Sequence, residues 1–173
     1  MAVTKLDQDA AVKILNCSFN HYIMYVLLKG TITNFLTSLN DFKSRKSELI
    51  SKYPVGSLIW GLSKKSNLLE DGTKAFLYLN KAENFPGGII LEGEVIEVSK
   101  LKENYWPEGK WNYYVVLKVL KIPSSVVNYS DISKWEIVRL DKLRELGLRI
   151  LPGIQKLDEK LGIKIEKALN ELK

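Results

Sequence analysis

Between residues 57 and 123 the sequence keeps returning to short apolar runs rich in β-branched and aromatic residues. SLIWGLSKKSN (57–67) reads as a strand running into a basic loop, and KAFLYLN (74–80) as a second strand. NFPGG (84–88) is a turn, and IILEGEVIEV (89–98) a third strand that alternates near its end. Val95 and Val98 frame Glu94 and Glu97, whose spacing of three places the two carboxylates on opposite faces of a regular strand. After a polar aromatic loop, SKLKENYWPEGKW (99–111), NYYVVLKVLKIP (112–123) is the strongest strand signal in the chain, and Pro123 ends it. Strands grouped in this way, rather than alternating strictly with helices, predict an α+β fold with an antiparallel or mixed sheet. So many short strands favour a strongly twisted sheet or an open barrel.

The flanks carry helical periods. Residues 5–16 predict a short amphipathic helix with Asp7 and Asp9 in its first turn, where they favour the helix dipole. HYIMYVLLKG (21–30) is a continuous apolar run of strand length closed by Gly30. Residues 31–53 show helical spacing through Phe35, Leu39, Phe42, Leu49 and Ile50, with Thr33 or Asn34 as the cap. Residues 128–173 return to helical periods in short pieces, broken at LPG (151–153), and end in the amphipathic segment LDEKLGIKIEKALNELK.

A chain of 173 residues suits one domain with a core that needs no disulfide or metal. Cys17 is the only cysteine, so no intrachain disulfide forms, and with His21 as the only histidine a zinc site lacks ligands. The same poverty excludes Ser-His-Asp and Cys-His catalysis except through His21, which precedes an apolar strand and reads as structural. No phosphate-binding glycine loop, dinucleotide turn, zinc-protease helix or nucleophile elbow occurs. The expectation is a binding protein with no catalytic residues, metal or cofactor, not an enzyme. The N-terminus lacks the layout of a signal peptide, and the most apolar stretch, Tyr22 to Leu28, is far shorter than the roughly 20 residues a spanning helix needs. A cytoplasmic protein without a membrane partner is expected.

The informative residues are aromatic and basic. Trp60 ends a strand and is followed by polar residues, and Trp106 and Trp111 sit in the loop around Pro107-Glu108-Gly109-Lys110. A large aromatic in a polar loop is either a lid on the core or a binding surface. Beside Lys64, Lys65 and Lys110, these rings offer the faces and cations that a nucleic-acid base and its phosphate need. The formal net charge is +6, and residues 29–67 hold seven Lys or Arg against Asp41 and Glu48. That run is either a solvated face or a phosphate-tracking surface on both sides of Trp60.

An ordered series of segments resembles the YTH domain, within the wider PUA-like and EVE superfamily. Leu28-Lys29-Gly30 is similar to the strand end that opens the family pattern. Ile59-Trp60-Gly61-Leu62-Ser63, with Asn67 downstream, is similar to its tryptophan-bearing strand, and Phe76-Leu77-Tyr78-Leu79-Asn80 to the next. Phe85-Pro86-Gly87 and then Gly93-Glu94-Val95 match loosely. Trp106 to Trp111, leading into a strand that ends Lys121-Ile122-Pro123, matches best. The resemblance covers about residues 20–150 and implies a PUA-like twisted mixed sheet or open barrel flanked by helices. On this division, residues 1–150 form the base-reading domain, and 151–173 are a C-terminal helix or a connector to a further domain.

By the resemblance, Trp60, Trp106 and Trp111 form an aromatic cage around the methylamino group of N6-methyladenine. The Gly61 carbonyl accepts the remaining N6–H, and the side chain of Ser63 or Asn80, or a neighbouring backbone N–H, bonds the ring nitrogens. Lys29, Lys64, Lys65 and Lys110 meet phosphate. Prokaryotic relatives of the fold imply a modified-DNA reader with a flipped base and a residue of the 81–88 or 99–110 loop filling the gap. Such a reader acts as the specificity domain of a McrB-type restriction system, fused to a nucleotide-hydrolysing motor. N6-methyladenine in RNA is the next reading. The alternative of another class is an interaction domain that binds no nucleic acid and whose tryptophans are core.

Overall fold

A computed structural model describes residues 22–173; the helix predicted over 5–16, Cys17 and His21 lie outside the described residues. The apolar runs become the strands β1 (Tyr25–Gly30), β2 (Ser57–Leu62), β3 (Lys74–Leu79), β4 (Gly88–Lys100) and β5 (Tyr113–Lys121). Two short strands, β6 (Val138–Arg139) and β7 (Gln155–Leu157), complete a seven-stranded sheet. The main order is β2-β5-β4-β3-β1-β7, with β6 added to β4. Only β1 and β3 run parallel; the other pairs are antiparallel.

The sheet is buried on both faces, which explains why β1 is apolar without interruption. Its Val26 and Leu28 join the main core, together with Ala75, Leu77 and Leu79 of β3 and Leu58, Trp60 and Leu62 of β2. Its Tyr25 and Leu27 face the other way, against helix α5 (Glu159–Asn170) through Ile165 and Leu169. Gly162 lets that helix approach, since a Cβ there would lie 2.4 Å from the Tyr25 ring. The terminal helix therefore packs on its own sheet, and β7 just before it pairs with β1.

Helix α1 (Ile32–Ser44) is capped by the Thr31 hydroxyl rather than by Thr33 or Asn34. The continuous period expected to residue 53 is broken at Arg45, which adopts φ 53° and ends α1. The Arg45 guanidinium donates to the carbonyls of Ile50, Tyr53 and Pro54, bonds that offset the left-handed backbone. A short helix α2 (Glu48–Ser51) follows. In the C-terminal region, helices α3 (Ser124–Asn128) and α4 (Leu140–Glu145) are separated by a 3-10 turn and by β6. The helical reading of 128–173 is thus corrected at β6 and β7, which are too short to show a period of their own.

A second correction concerns β4. Its pairing with β5 slips between Val95 and Glu97, so one residue is inserted as a bulge. Val95 and Val98 consequently pack against the same core, and Glu94 and Glu97 fall together on the side opposite to it. Glu97 there accepts from the Tyr53 hydroxyl at 3.2 Å.

Candidate functional site

Among the described residues the sheet does not close: β2 ends one side, and β7 covers only Tyr25 to Leu27 of β1, leaving Leu28 to Gly30 without a strand partner on that side. The seam between these two edges is an open cleft of about 690 Å³. Leu28 and Lys29 line one side, the stretch Trp60 to Asn67 another, and Trp111 and Pro152-Gly153-Ile154 complete it.

The direction of the β2 backbone follows from two bonds. The Gly56 carbonyl accepts from Val119 of β5, and the Ile59 carbonyl accepts from the Ser38 hydroxyl of α1. By the two-residue alternation of a strand, the N–H and C=O of Gly61 point the same way as those of Ile59, off the free edge. Helix α1 covers that edge at Ile59 and leaves Gly61, one alternation further, on the cleft.

Glycine at 30 and 61 is a packing requirement. A Cβ at Gly30 would lie 2.2 Å from the Trp60 ring, and one at Gly61 would lie 2.9 Å from Trp111 and 3.0 Å from Trp106. Real side chains do not tolerate such distances, so the two glycines admit the three indoles. Trp60 and Trp106 meet edge to face at 6.5 Å between centroids, and Trp106 and Trp111 at 6.3 Å. Trp111 is half-buried and lines the cleft; its Nε1 donates to the Glu108 carbonyl at 2.8 Å. Trp60 lines it from deeper in the main core.

Trp106 does not line the cleft. It is 1% exposed and packs with Ile59, Tyr114 and Val116, and its Nε1 donates to the Ser38 hydroxyl at 2.8 Å. The expected three-walled cage is therefore corrected to two lining rings with the third behind them. Trp135 is also buried, against Phe35 and Phe85. The 81–88 turn packs on that ring through Phe85, so its sole aromatic is committed to the core away from the cleft.

The other expected residues divide. Gly61, Ser63, Lys29, Lys64 and Lys65 all line the cleft, as does Asn67. Asn80 does not: it is exposed just beyond β3, its N–H bonded to the Gly30 carbonyl. Lys110 is exposed on the tryptophan loop, outside the lining. Lys29 donates to the Gly153 carbonyl across the seam, and burial holds its pKa below the usual lysine value. The Lys65 ammonium stands 5.7 Å from the centre of the Tyr113 ring. Lys43 donates to the Val127 carbonyl and Arg45 caps its helix, so part of the basic run holds the fold together.

Sequence reasoning missed the wall at 152–154, which looked only like a helix break. It also missed the buried polar stripe of α1, Asn34, Ser38 and Asp41. The spacing of three and four was the available signal, hidden because the apolar residues drew the reading. The cleft presents aromatic surface, strand-edge amide groups and three lysines, and among the described residues no carboxylate lines it. Among the described residues, no three of His, Cys, Asp and Glu converge as metal ligands. No described helix is long and apolar enough to cross a membrane.

No family model matches the chain, and no curated protein matches it. The chain's fold is similar to that of solved structures. The human THYN1 protein, in complex with 5-methylcytosine containing DNA, is 16% identical, with a TM-score of 0.52 over 87% of this chain and 99% of that one. Protein PSPTO5229 from Pseudomonas syringae is 14% identical, with a TM-score of 0.51 over 83% of this chain and 98% of that one. At such identities the likeness establishes the fold alone: an α+β open sheet flanked by helices.

Proposed function

We propose that this chain is a binding module that reads a methylated base in DNA, taking the base into the seam cleft. The observation that carries the reading is the cleft itself, where the face of Trp111 and the free edge at Gly61 stand beside Lys29, Lys64 and Lys65. Stacking on such a ring contributes roughly 1–3 kcal/mol per base. The methyl adds only ~0.8 kcal/mol by burial, so stacking and phosphate contacts supply affinity and the methyl supplies preference. Extruding a base from a duplex costs a few kcal/mol, which the stack and the edge hydrogen bonds must offset. The Gly61 carbonyl accepts an exocyclic N–H, Asn67 and Ser63 serve the ring nitrogens, and Lys64, Lys65 and Lys110 meet phosphate. Asn80 has no part in this arrangement. Trp106 acts from behind, as support for the two lining rings.

N6-methyladenine is the base that the resemblance implies. A second reading, 5-methylcytosine, is favoured by the THYN1 complex, whose DNA contains that base. The module has no chemistry of its own and would hand recognition to a partner, as a specificity domain of a modification-dependent restriction system does with its motor.

The test is fluorescence anisotropy at one fixed salt concentration. The probes are matched duplexes that are unmodified, carry one N6-methyladenine, or carry one 5-methylcytosine, together with single-stranded RNA with and without N6-methyladenine. Tighter binding to one methylated duplex is expected. Preference for methylated RNA would move the reading to RNA, and equal binding to all five probes would contradict it.

A further inference from the structure

Three polar side chains on one face of α1, Asn34, Ser38 and Asp41, are all buried, and all hold the tryptophan loop. Asp41 accepts from the Tyr105 hydroxyl at 2.6 Å, and Ser38 accepts from Trp106. Asn34 makes a two-bond ring with the backbone of one residue, spanning the two peptide units on either side of it: its Nδ2 donates to the Glu108 carbonyl at 3.0 Å, and the Glu108 N–H donates to its Oδ1 at 3.1 Å. This pattern admits one orientation of the carboxamide, because the backbone N–H needs an acceptor and the carbonyl a donor.

The three contacts differ in what lies beyond them. Tyr105 and Trp106 do not line the cleft. The Glu108 carbonyl held by Asn34 is the same atom that accepts the Trp111 indole N–H. Gly109, at φ 80°, turns the chain between them, and its missing Cβ would stand 3.0 Å from the Trp111 ring. Fixing the Glu108 carbonyl therefore orients the ring that lines the cleft. Because the indole N–H is already committed, Trp111 offers a ligand its face and not its donor.

We propose that Asn34 is a positioning residue for Trp111, presetting the stacking face through the Glu108 carbonyl. The inference rests on the reading of the seam cleft as a base site. An ordered ring binds more tightly than a mobile one, because the ligand need not bear the cost of ordering it.

Asn34→Ala and Asn34→Asp test this; the second keeps the shape and the acceptor for Glu108 N–H while removing the donor to its carbonyl. Both are expected to weaken binding to the preferred methylated duplex roughly fivefold to tenfold. Binding to the unmodified duplex weakens as well, since the same ring stacks an unmethylated base. In the free protein, hydrogen exchange of the Trp111 indole proton quickens in both variants. Should the alanine variant fail to fold, the aspartate variant carries the test. Trp111→Ala is measured alongside. If Trp111→Ala keeps the methyl preference, the base-reading proposal fails, and the exchange measurement still decides the positioning role. Unaltered indole exchange in a folded Asn34 variant, or undiminished binding to the methylated duplex, overturns it.

Discussion

Trp106 and Trp111 touch at 6.3 Å between ring centroids, yet their surroundings give them different work. Trp106 is almost wholly buried and hydrogen-bonded, so Trp106→Ala leaves a cavity and an unpaired Ser38 contact. It is expected to cost about 3–5 kcal/mol in denaturant unfolding. Trp111 is half-buried at the cleft, so Trp111→Ala abolishes methyl preference and lowers the melting temperature much less. Equal destabilisation by the two substitutions would place Trp111 in the core and remove the stacking face. Gly30 gives a third residue-scale prediction. The Cβ of Gly30→Ala meets Trp60 head on, and overpacking of this kind costs about 1–3 kcal/mol. The variant should unfold at lower denaturant and bind methylated duplex more weakly than the wild type.

Helix α5 and the sheet beneath it carry two further expectations. Replacing a mid-helix glycine by alanine ordinarily stabilises by ~1 kcal/mol. Gly162→Ala should instead destabilise, because its Cβ would lie 2.4 Å from the Tyr25 ring. Calorimetry reads the sign directly, and a raised melting temperature would mean that the helix has room to shift. Beneath the same helix, Lys74 stands 3.2 Å from Glu166 and 3.5 Å from the buried Glu92. Burial and then the nearby Glu166 push the Glu92 carboxyl above its usual value, while Lys74 pulls it back. A carboxyl raised in the folded state binds its proton more tightly there than in the unfolded chain. Its contribution to stability is therefore full below the unfolded value and declines as pH rises towards the folded one. Denaturant titrations from pH 4 upward should show wild-type stability falling relative to Glu92→Gln, and parallel curves would contradict this.

What could be read from the sequence depends on how an element earns its burial. The strands β1 to β5 were legible because both their faces are buried and their apolar runs are long. Strands β6 and β7 were not, since two or three residues carry no period and their pairing depends on distant partners. The break at Arg45 was hidden because its guanidinium reaches carbonyls from 50 to 54, contacts that local spacing does not report. Most of the cleft was legible as a resemblance, including Trp60, Gly61, Lys29 and Trp111. The depth of Trp106 and the exclusion of Asn80 were not, because burial follows from the packing of segments far apart in sequence.

At the scale of the whole molecule, binding depends on the sheet staying open. The main core holds Val26, Leu28 and Trp60, a second lies under α5, and a third lies under the tryptophan loop. The seam between β1 and β2 is left as the place where strand edge, aromatic face and cations meet. Binding there should weaken steeply with salt, while the ratio between methylated and unmodified duplex stays nearly constant, since phosphates supply the first and the cleft the second. A ratio that collapsed with salt would tie the preference to charge instead. The most direct test of the central claim is the nuclear magnetic resonance of the four tryptophan side chains, titrated with methylated duplex. Trp111 and Trp60 line the seam, whereas Trp135 is packed elsewhere, with its Nε1 bonded to the Tyr129 carbonyl, and serves as the internal control. Large shifts are expected at Trp111 and Trp60, larger with the methylated than with the unmodified duplex, and none at Trp135. Binding that leaves Trp111 and Trp60 unmoved would contradict it.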